Sequence, residues 1–239
     1  LDLLGKALTD YLDGRQDATL LSHSSFGDTD AVPAAYFFRG FDQMPVLEQK
    51  ALRLAKGRVL DIGCGAGSHC LWLQEKGLPC TGLDISSGAL EVARKRGVKN
   101  LHLGPIQNFE VGKFDTLLLL MNGIGLAGRL KALPALLAHL TGLLAPEGQI
   151  LLDSSDIIYM YEEDSDGGVW IPGDLDYYGE VRYRWEYQGH KGSEFPWLFA
   201  DFQSLSEAAV SVGLEAELLA EGPHYDYLAR LVPASYQSH

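Results

Sequence analysis

The sequence predicts an α/β chain in which an open, mostly parallel sheet is wound on both sides by helices. Short apolar stretches at 59–62, 79–83, 101–103, 113–121 and 149–153 alternate with segments of helical periodicity, the order that builds parallel strands joined by crossover helices. The first of these strands runs into Gly63-Cys64-Gly65-Ala66-Gly67, a tight turn that opens a helix. The fourth, 113–121, is apolar enough to be buried on both faces, as in the middle of a doubly wound sheet.

A chain of 239 residues with 46% hydrophobic content is sufficient for one such domain with insertions. Nineteen basic residues against 32 acidic ones give a formal charge of −13, and no run of Lys or Arg forms the stripe that grips nucleic-acid phosphates. No nucleic-acid partner is therefore expected. No apolar run approaches the roughly 18 residues of a membrane span, and no signal-peptide pattern is visible, so no membrane partner is expected either. Cys64, Cys70 and Cys80 are odd in number and contain no C-x-x-C pair. That suits structural thiols in a reducing compartment better than zinc or disulfides, so the expectation is a cytoplasmic protein with no metal.

A glycine-rich turn from strand to helix directs free backbone N–H groups and the positive end of the helix dipole at whatever lies on it. The dinucleotide fingerprint would place a third Gly or Ala where Ser68 or Cys70 stands. What stands instead is D-x-G-x-G-x-G, with Asp61 two residues before Gly63. That carboxylate would repel a pyrophosphate and favour a cationic amino-acid headgroup. Asp84 ends the second strand, 21 residues after Gly63, where an acid can accept from both hydroxyls of a ribose. The alternative for Asp84 is an N-cap of the helix at 87–96. Residues 60–67, with these two acids, resemble motif I of the class I S-adenosylmethionine (SAM) dependent methyltransferases, and the resemblance runs over about 55–232, most securely up to Asp153.

The resemblance implies a seven-stranded, mostly parallel sheet with one antiparallel strand, SAM as cofactor, and a methyl acceptor as substrate. Asp61, Gly63, Gly65, Gly67 and Asp84, with Ile85 following it, would bind the cofactor. In the loop that recognises adenine in related enzymes, many relatives carry an Asp where this chain offers Gln107 and Asn108. Arg39 is either a partner of the SAM carboxylate or a solvated surface residue. Asn122 ends the fourth strand beside the position of the transferable methyl, and so counts for cofactor and catalysis alike. Asp153 and Asp156 end the fifth strand, as base, substrate-amine anchors or strand-end caps. A terminal helix (204–213) and two strands (214–220 and 225–232) would form the closing hairpin, whose turn brings His224 and Tyr225, with Tyr227 beyond, to the ligand side.

The domain reading is an N-terminal helical cap at 1–56, a SAM-binding core at 57–156 and 203–239, and an inserted hairpin or lid at 157–202. In the insertion, Val181, Tyr183, Trp185 and Tyr187 alternate with Glu180, Arg182, Arg184 and Glu186, and Phe195, Trp197 and Phe199 alternate on the return. Its aromatic face would roof the acceptor, pack on the sheet or form a dimer contact, so monomer and homodimer both stay open. No Asn-Pro-Pro-aromatic element of the amino-group methylases of DNA and protein is present. With the acidic charge, that points to a small-molecule acceptor with an O or N nucleophile. The alternative is a non-catalytic SAM-binding or partner-binding module on the same fold.

Overall fold

The computed structural model describes residues 1–161, 168–169, 171, 173 and 175–234; the rest of the expected insertion and residues 235–239 of the expected core lie outside the described residues. In chain order the elements are α1 (Leu3–Leu12), β1 (Thr19–Ser24), β2 (Thr29–Pro33), α2 (Val46–Leu54), β3 (Val59–Ile62), α3 (Ser68–Glu75), β4 (Cys80–Asp84), α4 (Ser87–Arg96) and β5 (Asn100–Leu103). They continue with β6 (Phe114–Leu119), α5 (Leu133–Leu143), β7 (Leu144–Ser155), β8 (Glu180–Tyr187), β9 (His190–Lys191), β10 (Phe195–Leu198), α6 (Phe202–Ser211), β11 (Leu214–Glu221) and β12 (Asp226–Pro233).

The central sheet has seven strands in the order β11-β12-β7-β6-β3-β4-β5. β12 pairs antiparallel with both neighbours, and the pairs from β7 to β5 are parallel. This is the expected topology. Alternation along the buried strands sorts their side chains into two cores. Leu60, Ile62, Leu117, Leu119, Ile150 and Leu152 meet Leu133, Leu137 and Leu140 of α5 and Leu205 of α6. On the opposite face Val59, Leu118 and Leu151 meet Leu47, Ala51 and Leu52 of α2, Leu73 of α3, and Leu90 and Ala93 of α4. Asp61 pairs in register with Leu118, so its side chain shares the face of α2 and α3. α5 begins at Leu133, directly after a 3-10 turn at Leu130–Ala132. Pro146-Glu147-Gly148 lies within β7, where the pairing with β6 shifts register and Glu147 takes φ 60°.

The N-terminal segment departs from a helical cap. Besides α1 and α2 it contains the hairpin β1–β2, and β1 pairs antiparallel with β8 of the insertion, giving a second sheet in the order β10-β8-β1-β2 with β9 on β8. The reason local pattern gives no warning is that β1 and β2 are short and polar: Leu20 is fully buried, whereas Thr29 to Ala31 are exposed. A two-stranded ribbon of that composition is marginal alone and depends on a strand some 160 residues away. The expected insertion hairpin is present as β8 and β10. Its aromatics divide: Tyr187 packs with Leu3, Leu8 and Leu20 and donates to Asp10 at 2.8 Å, while Trp197 packs on Gly125, in the loop after β6. The insertion is thereby tied to both the N-terminal segment and the ligand end of the sheet. Among the described residues no helix is long and apolar enough to cross a membrane.

Candidate active site

Gly63, Gly65 and Gly67 have φ of 79°, 52° and 82°, a left-handed run that side chains resist. Space separates their roles. A Cβ on Gly63 would meet nothing within 4 Å, so the backbone there is open to a ligand, while a Cβ on Gly67 would stand 2.5 Å from Val98 Cγ2 and 3.1 Å from Ala93 Cβ. Gly67→Ala is therefore expected to destabilise the fold by about 2–4 kcal/mol in urea unfolding, from combined backbone strain and overpacking. A loss below 0.5 kcal/mol would refute the packing argument.

Asp84, 9% exposed, accepts from the Gly65 N–H through Oδ2 and from the Ser86 N–H through Oδ1, both at 2.8 Å. Burial pushes its carboxyl upward, against those two donors. The alternative of an N-cap falls away, because Ser86 caps α4 by accepting from the Ala89 N–H at 2.9 Å. Asp84 instead ties the glycine turn to the loop after β4, where Ile85 is 71% exposed. Gln107 and Asn108 lie exposed in a 3-10 turn, Ile106–Asn108, anchored by the buried Ile106.

Beneath the turn runs a buried ladder of alternating charge. Arg39 Nη2 lies 3.1 and 3.2 Å from the two Glu48 carboxylate oxygens. Glu48 Oε2 lies 3.0 Å from His69 Nε2, and His69 Nδ1 lies 3.6 Å from Asp61 Oδ1. Burial alone would lower the His69 pKa, but its hydrogen bonds to Asp61 and Glu48 outweigh that and push it up to about 10. His69 is thus a buried imidazolium. Asp61 is 2% exposed, and the cation beside it is the chain's own His69. Residue type alone could not reveal which cation that would be. The surface alternative for Arg39 falls away: its side chain is 13% exposed and its guanidinium lies 3.6 Å over the Tyr36 ring. Its Nε is buried and without a hydrogen-bond partner among the described residues. Glu48 and His69 escaped the sequence reading, yet both carry a signal. Glu48 stands three and four residues before Ala51 and Leu52, and His69 stands four before Leu73, so both lie on buried helical stripes.

At the end of β6, Met121 and Asn122 take φ of 59° and 55°, two consecutive left-handed non-glycine residues of the kind that gather at functional sites. The Asn122 N–H donates to Asp153 Oδ1 at 2.9 Å. Its side-chain amide donates to the Leu198 carbonyl at 3.1 Å and accepts from the Ser154 hydroxyl at 2.9 Å, pinning the insertion to β6 and β7. Burial raises Asp153 to about 7, against the N–H of Asn122, with Glu48 raising it further and His69 opposing. Asp156 accepts from Tyr178 Oη at 2.9 Å and from the Ile158 N–H at 3.0 Å. Tyr225, at φ 58° and 65% exposed, stacks on Tyr159 with ring centroids 4.9 Å apart. Its carbonyl accepts from the Asp156 N–H at 2.9 Å. Tyr227 is buried and donates to the Ala200 carbonyl at 2.7 Å. The structure thus brings Asn122 and Asp153 into contact, with Tyr225 further out on the same edge. His224 is exposed, its backbone N–H given to Asp226 Oδ1.

A seven-stranded sheet with one antiparallel strand, a glycine turn at the carboxyl end of β3 and an acid at the end of β4 define a class I methyltransferase scaffold. The family described as methyltransferase domain matches residues 41–217, and the chain belongs to that family. A SAM-dependent methyltransferase from Bacteroides fragilis, solved in complex with S-adenosyl-L-homocysteine, is 42% identical over 98% of this chain and 95% of that one, with a TM-score of 0.90. The methyltransferase CcbJ of Streptomyces caelestis shares the fold at 14% identity, with a TM-score of 0.62 over 82% of this chain and 95% of that one. A ubiquinone biosynthesis O-methyltransferase of Pasteurella multocida is 37% identical over 62 residues, 26% of this chain and 26% of that protein, so the matched stretch spans about a quarter of that relative. The protein is a SAM-dependent methyltransferase, and SAM is its cofactor. Its glycine turn fits that group: the backbone at Gly63 is open, and Asp84 stands beside the turn at the end of β4.

Proposed function

We propose that the protein methylates a small molecule at an oxygen or nitrogen nucleophile, with Asp153 as the group that takes the acceptor's proton. The observation that carries this reading is the Asn122–Asp153 contact. There a strained strand end holds a carboxyl whose proton affinity lies near neutral, where a general base works best. Bound SAM supplies a methyl group already activated by its sulfonium. The chain's own residues then hold and orient. The turn at 63–67 and Asp84 hold the nucleoside end, with Ile85, Gln107 and Asn108 along the adenine, and Arg39 takes the carboxylate. Asn122 fixes the direction of Asp153, and the exposed Tyr225–Tyr159 pair offers an aromatic surface at the outer edge. A small acceptor is supported by the acidic charge and by the partial likeness to a ubiquinone biosynthesis O-methyltransferase.

Calorimetric titration with SAM, S-adenosyl-L-homocysteine and NAD tests the cofactor residues. Both adenosyl ligands are expected to bind and NAD to fail. Asp84→Ala should weaken the adenosyl ligands by about 1–3 kcal/mol, through lost charged hydrogen bonds to the ribose. Unchanged affinity in a folded Asp84→Ala variant would remove Asp84 from that role. A turnover screen with methyl-labelled SAM and small hydroxyl and amino compounds tests the acceptor class. Label on a protein or nucleic acid in place of every small compound would overturn it.

A further inference from the structure

The N-terminal helix α1 crosses α4 at a point where two helix N-termini come close enough to need glycine on both sides. A Cβ on Gly5 would lie 2.7 Å from Gly88 Cα, and one on Gly88 would lie 2.7 Å from Gly5 Cα. Two positive dipole ends side by side repel each other unless an anion lies between them. The anion is Asp2. Its Oδ1 accepts from the Gly5 N–H at 2.8 Å, capping α1. Its Oδ2 accepts from the Gly88 N–H at 3.0 Å, in the first turn of α4. The Ser86 hydroxyl donates to the same carboxylate, at 2.9 Å from Oδ1 and 2.8 Å from Oδ2. One side chain therefore closes two helix starts that are 86 residues apart in sequence.

Ser86 is the link to the cofactor. It is 7% exposed, its hydroxyl caps α4, and its N–H donates to Asp84 Oδ1 at 2.8 Å. Asp84 holds the Gly65 N–H with its other oxygen. An unbroken series of hydrogen bonds thus runs from Asp2 through Ser86 and Asp84 to the glycine turn. A second tie between the N-terminal segment and the turn is the Ser68 hydroxyl, which donates to the Phe37 carbonyl at 2.8 Å.

We infer that Asp2 is a positioning residue for the cofactor: by capping α1 and α4 together it sets the place of the Asp84–Ser86 loop, so that docking of the N-terminal helix and affinity for SAM are coupled. The inference rests on the reading of Asp84 as the ribose acid. Removing Asp2 leaves the first-turn N–H of α4 and the Ser86 hydroxyl without their acceptor and frees the loop to move. Nothing in the series touches the acceptor side, so turnover with both substrates saturating is retained while the requirement for SAM rises.

The experiment is a calorimetric titration of S-adenosyl-L-homocysteine into the full chain, comparing native protein with Asp2→Ala, Asp2→Asn, Asp84→Ala and Leu3→Ala. Leu3 is 4% exposed in the same helix and its apolar side chain makes none of the hydrogen bonds of the series, so Leu3→Ala reports what loosening of α1 does without breaking one. Asp2→Ala is expected to weaken binding about tenfold, the scale of one lost cap, with Asp2→Asn between it and native. Leu3→Ala, with a similar fall in melting temperature, stays within about twofold of native. Affinity of Asp2→Ala within twofold of native, or an equal loss in Leu3→Ala, overturns the coupling. Unchanged affinity in Asp84→Ala would fell the ribose reading, and the coupling with it. A loss in Asp84→Ala without one in Asp2→Ala would fell the coupling alone.

Discussion

Replacing His69 with alanine is expected to cost the protein about 3–5 kcal/mol of stability, because it removes the cation between two buried carboxylates. Glu48 keeps Arg39, but among the described residues Asp61, at 2% exposure, keeps only the weak thiol donor of Cys70, at 3.4 Å. The two carboxylates hold the His69 pKa above its ordinary 6.5, at about 10, so the charged form is the one the folded state favours. The sign follows from linkage. The folded-state value lies above the unfolded one, so this stabilisation is fully present below pH 6.5 and is lost as pH rises through about 10. Urea unfolding of native and His69→Ala protein should therefore differ most near pH 6 and converge toward pH 10. Adding Asp61→Asn to His69→Ala should recover part of the loss, since it removes the stranded charge, although Asp61→Asn alone destabilises. Purely additive losses would show that the two side chains are not coupled.

What was legible from sequence depended on how far apart the partners lie. The glycine turn, the parallel strands and the closing hairpin are written in short periods, where one residue's neighbours predict its burial. Asp61 and Asp84 were recognisable as acids because their positions relative to Gly63 carry meaning. Their partners were harder to see. His69 is close in sequence but points back under the turn, and Glu48 arrives from a helix before the first central strand. The β1–β8 pairing joins segments some 160 residues apart, and Asp2 reaches Gly88 across 86 residues. No local periodicity records such contacts. Asn122 shows a subtler limit. Its place at a strand end was readable, but its amide turned out to be committed to Leu198 and Ser154, leaving its backbone N–H to orient Asp153.

Asp153→Asn is the complementary experiment, expected to strike activity while sparing the fold. An asparagine oxygen can still accept from the Asn122 N–H, so the strand end keeps its geometry. What it cannot do is take a proton. Label transfer from methyl-labelled SAM to an acceptor from the turnover screen should fall about 10²–10⁴-fold, the usual contribution of a positioned base. In native protein kcat/KM should rise with pH and level off above about 7, where the carboxyl is ionised, and that step should vanish in the variant. Stability should move the other way. The folded-state value of Asp153 lies above its unfolded value of 3.8, so ionising the carboxyl works against the fold, and native stability from this group declines as pH rises from about 4 to 7. A neutral asparagine escapes that loss, so the variant should be more stable relative to native at pH 8 than at pH 4. A site kept for proton transfer at the expense of stability has this signature. Full activity with an unchanged pH profile would instead assign Asp153 to structure, leaving methyl transfer to orientation alone.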